Sequence, residues 1–332
     1  MRVGIIGAGA MGGWFGVRLA RAGCVVSALD RGATLDALRS GPWRLDLDGE
    51  TLEARVAASS EPGELGVQDL VIVTLKGPTL PLVAPALGPM IGPQTVILPV
   101  MNGVPWWFLL AGGGELGPTP LASVDPRGAI AAALPIDAVV GGVLHATASV
   151  RAPGHVVHGA GNGIVIGEPS GEPRDRTTRI AALLSDAGFD VDVTPAIQQA
   201  IWYKLWGNMT MNPISALTGA TCDRILDDPL TSALTLRLMA EARAIGARIG
   251  APIDERSEDR NALTRRLGAF KTSMLQDAEA GRALELDQIL AAPREIAGRL
   301  GLATPDLDAV FGLARVFAQA RGLYPQPPGS PA

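Results

Sequence analysis

One stretch of the chain places a lysine and two asparagines at a spacing that could support acid–base chemistry. Lys204, Asn208 and Asn212 lie four residues apart, so on a helix their side chains share one stripe. The stretch is otherwise mostly apolar, with two tryptophans and two methionines, which indicates a buried helix. An ammonium group in such surroundings has a lowered pKa and suits proton donation near neutral pH. A solvated stripe on a half-exposed helix is the alternative.

A hydroxyl and a carboxylate follow further along the chain. Ser273 and Glu285 lie on either side of a predicted turn at Gly281, so both could face one cleft. Charged residues near helix ends are usually solvated, and a solvated pair is therefore the alternative interpretation.

The N-terminus contains a glycine-rich turn between an apolar run at residues 2–6 and a helical pattern at residues 14–22. In this setting the first glycine allows a tight turn, the second lets the backbone approach a pyrophosphate, and the third lets the helix pack on the strand. The pattern predicts a dinucleotide-binding βαβ unit, and glycines that serve packing alone are the alternative. The turn consists of Gly7, Ala8, Gly9, Ala10, Met11 and Gly12.

The residues after the second predicted strand bear on the type of dinucleotide. Arg31 could pair with a ribose 2′-phosphate, and Lys76 could add a second cation. Asp30 would instead accept a hydrogen bond from a free 2′-hydroxyl. These signals favour NADPH and leave NADH open. In the alternative interpretation Asp30 and Arg31 pair with each other at the surface.

Asn102 and Gly103 follow an apolar run at residues 95–100. The pair could form a simple turn. Because a helix is predicted at residues 104–110, Asn102 is expected at the carboxyl end of a sheet strand, where α/β proteins bind ligands. Its amide could contact both the cofactor ribose and the substrate.

The elements that must position these residues form two regions. Residues 1–193 have an α/β pattern, and residues 194–332 are nearly all helical, with a Pro/Gly/Ser-rich tail at 324–332. In the first region a hairpin is expected around Asp48-Gly49, and a turn at residues 161–163. The predicted strands lie at residues 2–6, 24–29, 43–46, 51–56, 70–74, 95–100, 139–150 and 155–166. The predicted helices of the second region lie at residues 196–211, 230–249, 258–280, 284–300 and 306–321.

Composition narrows the class of protein. The 332 residues are 47% hydrophobic and carry a net charge of -5, which excludes a largely disordered chain and disfavours nucleic acid as a partner. No membrane segment is expected. Two distant cysteines and three histidines favour a reducing, cytoplasmic setting without a metal site. The Leu- and Ala-rich faces of the helical region leave a homodimer open.

The motifs together resemble the ketopantoate reductase (2-dehydropantoate 2-reductase) family. The resemblance extends over nearly the whole chain, and its last two motifs are the specific ones. The matching motifs are GAGAMG at residues 7–12, TLK at 74–76, NG at 102–103, PGHVVHG at 153–159, KLWGNMTMNPISALTG at 204–219 and SMLQDAEAGRALELD at 273–287.

The resemblance implies a Rossmann-type domain followed by an all-α domain like the C-terminal domain of 6-phosphogluconate dehydrogenase, with the active site between them. It also implies that NADPH delivers hydride to a 2-oxo acid, with ketopantoate as the leading substrate. Lys204 would protonate the carbonyl oxygen, and Glu285 would orient the substrate and the lysine. The implied substrate contacts are Asn102, Asn208, Asn212 and Ser273. The implied cofactor contacts are the glycine turn, Asn102, and Arg31 and Lys76 near the 2′-phosphate.

Several positions depart from the family pattern. A paralogue that acts on another substrate is therefore an alternative. Residues 288–293, Phe270 and Cys222 are the main departures. Other enzyme alternatives are the reduction of a different 2-oxo acid, a 3-hydroxy acid reaction or imine reduction. A dinucleotide sensor without catalysis is the alternative from another class, although such a protein would not need a buried proton donor.

Overall fold

The computed structural model describes residues 1–325, which form two compact units. The first unit consists of Met1–Met101 and Arg127–Ile197. The second consists of Asn102–Pro126 and the described residues from Gln198 onward. Beyond Pro325, the predicted tail at 324–332 falls outside the described residues.

The core of the first unit is a five-stranded sheet in which every pairing is parallel. Its strand order is β5-β2-β1-β6-β7, so β1 lies in the middle and is flanked by β2 and β6. Strands this rich in Val and Ile, buried on both faces, are typical of parallel sheets. The five strands are β1 (Arg2–Ile6), β2 (Val25–Leu29), β5 (Ala57–Ser59), β6 (Gln68–Val73) and β7 (Ile91–Pro99).

A second, mixed sheet lies on the other side of the first helix. Its longest strand pairs with β8 along one edge and with β3 and then β10 along the other. Helix α1 (Ala10–Arg21) packs against strands of both sheets. Gly16 permits this close packing, because a Cβ there would lie 2.3 Å from the Trp43 ring. The strands are β3 (Trp43–Leu47), β4 (Glu50–Ala54), β8 (Gly141–Ala152), β9 (His155–Gly167) and β10 (Asp190–Val193).

The remaining helices of the first unit are short or lie at the sheet edges. They are α2 (Gly32–Ser40), α3 (Pro62–Leu65), α4 (Leu80–Val83), α5 (Ala129–Ala133) and α6 (Asp175–Asp186). The 3₁₀ turns of the two units span Gly77–Thr79, Ala84–Ala86, Gly88–Met90, Gly114–Leu116, Pro126–Gly128 and Ile136–Ala138.

The second unit is helical, and its long central helix α7 carries Lys204. Its helices are α7 (Ile197–Thr218), α8 (Cys222–Asp227), α9 (Pro229–Arg248), α10 (Ser257–Arg265), α11 (Ser273–Glu279), α12 (Ala292–Arg299) and α13 (Pro305–Ala320). A π-helical turn at Asp287–Ala291 precedes α12. An α/β unit with a parallel sheet and a helical unit confirm the predicted fold class.

One difference concerns residues 102–126, which the sequence assigned to the first region. They belong to the second unit. The Phe108 ring lies 6.0 Å from the Trp202 ring, and the Glu295 carboxylate accepts hydrogen bonds from the Ala122 and Ser123 amides. The prediction of a helix at residues 104–110 was wrong, because this segment is a series of turns.

The predicted turn at residues 161–163 was also wrong. Strand β9 continues through it, and the reversal between β8 and β9 lies at Gly154, with φ +70°. Gly161, with φ +75°, instead sits where the β8–β9 register shifts. An unpaired position of this kind needs a residue that tolerates positive φ, which glycine does.

The helix predicted at residues 258–280 is two helices, α10 and α11. Gly268, with φ +65°, interrupts the pattern. Thr272 then starts α11, because its hydroxyl accepts a hydrogen bond from the Leu275 amide. A left-handed residue cannot continue an α-helix, so the chain turns and restarts one residue before Ser273.

The helix predicted at residues 284–300 begins later than expected, with the π-helical turn. Pro293 has no N–H to donate to the Ile289 carbonyl, which disfavours regular α-helical bonding there. Within residues 1–325, no helix combines the length and apolar character that crossing a membrane would require.

Candidate functional site

The glycine turn of the first unit leaves its backbone open on one side. Gly7 adopts φ +95° directly after β1, and the Thr74 hydroxyl donates to its carbonyl at 2.6 Å. A Cβ at Gly12 would lie 2.0 Å from the Gly7 oxygen, so α1 can begin this close to β1 only with glycine there. A Cβ at Gly9 would meet no atom within 4 Å among the described residues, which leaves room for a ligand beside the backbone.

The carboxylate of Asp30 holds the same turn from the adjacent strand. It accepts the Ala8 amide at 2.5 Å and the Arg31 amide at 2.7 Å. The side-chain pairing of Asp30 with Arg31 considered from the sequence is therefore not formed. The carboxylate binds backbone amides instead.

Arg31 and Lys76 lie at the same edge of the parallel sheet as the glycine turn. Ile6 at the end of β1 is in register with Leu29 of β2 and Val73 of β6, and the two cations follow shortly after those strand ends. Arg31 is exposed and Lys76 is half-buried. This edge therefore combines an open glycine turn with two positive charges.

In the second unit, tryptophans fix helix α7 against α9. The Trp202 and Trp206 indoles donate to the Ala242 and Met239 carbonyls, each at 3.0 Å. Gly246 makes room, because a Cβ there would lie 2.5 Å from the Trp202 indole nitrogen. These buried contacts set the rotation of α7, so the side of the helix with Lys204 faces away from α9.

A chain of hydrogen bonds joins Lys204 to Glu285 through Asn102. The Lys204 ammonium donates to the Asn102 side-chain oxygen at 3.0 Å. The Asn102 amide nitrogen donates to the Glu285 carboxylate at 3.4 Å. Glu285 is buried and Lys204 is half-buried. Three residues that are distant in the sequence thus meet within the second unit.

The environment of Lys204 lowers its pKa to about 8. Burial is the main cause, since it disfavours the charged form, and the Glu285 carboxylate partly opposes it. A lysine with this pKa exchanges protons near neutral pH, which is the property that a general acid needs.

Comparison with known proteins assigns this chain to a family. The family model for ketopantoate reductase PanE/ApbA matches residues 3–111, and the model for the C terminal of ketopantoate reductase PanE/ApbA matches residues 196–318. A 2-dehydropantoate 2-reductase from Mesorhizobium japonicum is 41% identical over 98% of this chain and 100% of its own length. The chain belongs to the ketopantoate reductase family. It is an oxidoreductase of that type.

Solved structures agree with this assignment. A protein from Ralstonia solanacearum MolK2, described as a candidate ketopantoate reductase, is 52% identical and superposes with a TM-score of 0.93 over 97% of this chain and 99% of that one. A D-mandelate dehydrogenase solved with NADH and anilino(oxo)acetate is 20% identical, with a TM-score of 0.83 over 97% of this chain and 100% of that one. That second likeness concerns the fold alone.

Among the residues expected from the ketopantoate reductase motifs, the two asparagines share the stripe of Lys204 on α7. Asn208 is half-buried, and Asn212 is 4% exposed. The amide nitrogen of Asn212 has no hydrogen-bond partner among residues 1–325. A buried donor without a partner is costly, so this position suits a ligand that supplies an acceptor.

Ser273 is not part of the hydrogen-bonded group around Lys204. It is the first residue of α11, its side chain is exposed, and none of the hydrogen bonds within residues 1–325 joins it to Lys204, Asn102 or Glu285. The substrate contact that the family motif implies for Ser273 remains a prediction.

Sequence reasoning missed the role of Gln288 as the neighbour of this family's Asn-Gly motif. The Gln288 carbonyl accepts the Val104 amide at 2.9 Å. A Cβ on Gly103 would lie 2.5 Å from that carbonyl. Only glycine therefore lets residues 102–104 lie this close to the π-helical turn. The position of Gln288, directly after the Glu-Leu-Asp motif, was the one available signal.

Proposed function

We propose that this chain reduces 2-dehydropantoate (ketopantoate) to pantoate with NADPH as the reductant. Hydride from the reduced nicotinamide is added to the keto carbon, and the ammonium group of Lys204 donates the proton to the carbonyl oxygen. A 2-oxo acid becomes a 2-hydroxy acid, and the oxidised cofactor and neutral lysine are the other products.

The observation that carries the proposal is the half-buried Lys204, whose pKa is about 8 and whose ammonium is hydrogen-bonded to Asn102. A carbonyl oxygen that gains negative charge needs a nearby cation and a proton. Asn102 holds the ammonium in one direction, and Glu285 favours its protonated form. Lysine in this arrangement is charged near neutral pH and close enough to its pKa to release a proton.

Asn208, Asn212 and Ser273 are proposed to hold the substrate. The unpartnered Asn212 amide supports this, since a ligand oxygen would satisfy it. Asn208 lies between Lys204 and Asn212 on the same stripe. For Ser273 the support is the family motif alone.

The first unit is proposed to bind NADPH. The open space beside Gly9 fits a pyrophosphate at the start of α1, where amides and helix dipole favour negative charge. Arg31 and Lys76 would neutralise a 2′-phosphate at the adjoining strand ends. Because Asp30 is engaged by two backbone amides, it has less capacity to bind a ribose hydroxyl. When bound, the cofactor supplies the hydride.

The first experiment compares Lys204→Ala with the unaltered protein, following NADPH absorbance with ketopantoate. We expect kcat to fall about 10²- to 10⁴-fold, with NADPH affinity unchanged. Lys271→Ala is the matched control, since Lys271 is exposed and pairs with Glu279. An unaltered kcat in Lys204→Ala would exclude lysine as the proton donor.

A panel of substrates tests the reaction itself. The proposal expects ketopantoate to give the highest kcat/KM among 2-oxo acids with and without a hydroxyl or an aromatic ring. Faster oxidation of a 3-hydroxy acid, or faster imine reduction, would identify a different reductase. Cofactor binding without turnover of the whole panel would indicate a sensor.

The cofactor preference is tested with Arg31→Ala. The unaltered protein should have a higher kcat/KM with NADPH than with NADH, and the variant should lose most of that difference because a bidentate phosphate contact is lost. A preference for NADH in the unaltered protein would contradict the proposed cofactor.

A further inference from the structure

The chain returns after its last helix to the segment that carries Glu285. The Leu284 amide donates to the Leu323 carbonyl at 2.9 Å. The Tyr324 hydroxyl donates to the Asp287 carboxylate at 2.5 Å. Leu284, directly before Glu285, is therefore held by Leu323, and Asp287, two positions after Glu285, is held by Tyr324.

This returning segment is itself anchored to the end of α13. Gly322, with φ +68°, ends the helix, and the Leu323 amide donates to the Ala318 carbonyl at 2.8 Å. Leu323 is 4% exposed, and Leu284 and Leu286 are at most 1% exposed. The apolar contacts and backbone bonds make the segment a fixed support.

The Tyr324–Asp287 pair is a polar contact in poorly solvated surroundings. Burial raises the pKa of Asp287, and the hydrogen bond from Tyr324 partly offsets this. Burial and the Asp287 carboxylate also raise the pKa of Tyr324, while Arg315 acts in the opposite direction. The phenol therefore stays protonated and remains a donor to the carboxylate across the neutral range.

Asp287 also begins the π-helical turn. The Ile289 amide donates to the Glu285 carbonyl at 3.2 Å, so the direction of Glu285 depends on how this turn starts. A π-helical turn is wider and rarer than an α-helical one, so its geometry depends on a fixed point at its first residue. The contact with Tyr324 supplies such a fixed point.

We propose that Tyr324 and Asp287 are positioning residues that hold the Glu285 carboxylate against Asn102, and through Asn102 orient Lys204. The inference rests on the proposed function, in which Lys204 is the proton donor. Neither residue touches the reacting atoms. The consequence for the reaction is transmitted over two hydrogen bonds, Glu285 to Asn102 and Asn102 to Lys204.

The test uses Tyr324→Phe, which removes one hydroxyl, and measures the pKa of Lys204 directly. The chain contains only three lysines, Lys76, Lys204 and Lys271, so NMR of protein labelled with ¹³C at the lysine ε-carbon resolves each one. The Lys204 signal is identified by its loss in Lys204→Arg. Because Glu285 raises the pKa of Lys204, a displaced Glu285 should lower it.

Two control variants separate positioning from general damage. Asp287→Asn keeps an oxygen that accepts from Tyr324, so the pKa of Lys204 should stay close to that of the unaltered protein. Tyr203→Phe removes the only other tyrosine hydroxyl of the chain, which donates to Glu255 at 2.5 Å. It should cost similar thermal stability without changing the pKa of Lys204.

Steady-state kinetics provide the second measurement. Tyr324→Phe should lower kcat on the order of tenfold, because a small misplacement of a catalytic group is costly, with KM for NADPH unchanged. An unchanged Lys204 pKa in Tyr324→Phe overturns the inference. Failure of the unaltered protein to reduce any 2-oxo acid overturns the proposed function instead, and the NMR measurement does not depend on it.

Discussion

At the residue scale, the proposed chemistry of this protein centres on how one ammonium group is held. Lys204 loses hydration on a helix packed by tryptophans, and it gains one amide oxygen and a nearby carboxylate in exchange. Burial alone would favour the neutral amine, and a carboxylate in direct contact would keep it permanently charged. Burial and the Glu285 carboxylate, acting in opposite directions, leave the pKa of Lys204 at about 8.

The pH dependence of kcat/KM follows from this balance. A general acid must be protonated, so activity should be full below the Lys204 pKa of about 8 and should fall as pH rises through it. Glu285→Gln removes the carboxylate that raises this pKa, and the alkaline limb should move roughly one unit lower. The measurement is kcat/KM for the 2-oxo acid against pH.

A matched control is available on α11. Glu279 is exposed and pairs with Lys271, so Glu279→Gln removes one negative charge from the same unit without touching the Lys204 group. Its alkaline limb should coincide with that of the unaltered protein. If the alkaline limb moved by the same amount in Glu285→Gln and Glu279→Gln, the shift would result from the change in net charge rather than from the loss of the Glu285 carboxylate.

At the element scale, glycines decide which segments can approach one another. Gly9 and Gly12 lie three residues apart in the same turn, yet a Cβ would meet nothing at the first and would lie 2.0 Å from the Gly7 oxygen at the second. The first glycine keeps space free for a ligand. The second lets the helix start against the strand.

Alanine substitutions should separate these two roles. Gly9→Ala should leave the melting temperature nearly unchanged and weaken NADPH binding at least tenfold, because the methyl group fills the open side of the turn. Gly12→Ala should destabilise the protein by about 1–3 kcal/mol. Fluorescence titration with NADPH and thermal unfolding measure the two effects. Normal NADPH affinity in Gly9→Ala would contradict the proposed cofactor site.

In the second unit, Gly103 allows a similarly close approach between two segments of the backbone. It adopts φ +74°, and a Cβ would lie 2.5 Å from the Gln288 carbonyl. Gly219 adopts a similar φ of +69° with nothing within 4 Å among the described residues. Gly219→Ala should therefore cost only backbone strain, about 1–2 kcal/mol, whereas Gly103→Ala adds a backbone clash.

The prediction for this pair is a lower melting temperature and a lower kcat in Gly103→Ala than in Gly219→Ala, because moving residue 103 displaces Asn102. Thermal unfolding and turnover of both variants provide the comparison. Equal losses in the two proteins would indicate that the Gln288 contact yields easily.

At the scale of the whole molecule, the two proposed binding functions belong to different units. The glycine turn with Arg31 and Lys76 lies in the first, and the group around Lys204 lies in the second. The segment 102–126 brings Asn102 into the second unit, where Arg248 also pairs with Glu115. The proposed proton-donating group of Lys204, Asn102 and Glu285 therefore lies entirely within the second unit.

Hydrogen–deuterium exchange should resolve this division. NADPH should slow exchange at residues 7–13, and an unreactive 2-oxo acid analogue alone should slow exchange in the second unit around residues 102–104 and 284–291. Binding protects amides by reducing local opening. If the analogue slowed exchange in the first unit alone, the substrate site would lie outside the second unit.

Local patterns accounted for most of the secondary structure. The apolar strands, the glycine turn and the stripe of Lys204, Asn208 and Asn212 depend on periodicities of a few residues, which the sequence displays directly. The turn predicted at residues 161–163 was wrong and the break at Gly268 was missed, because a glycine's φ depends on the partners around it. The Trp-rich segment after Gly103 has helical composition but packs as turns.

The sequence by itself determined the fold class, the glycine turn after the first strand and the helix that bears the lysine. Only the tertiary structure decided what that lysine contacts. Asn102 is 102 positions from Lys204, and Glu285 is 183 positions from Asn102. Contacts at such separations depend on the packing of whole elements, here Trp202 against α9 and Gly103 against Gln288. No periodicity in the chain encodes that packing.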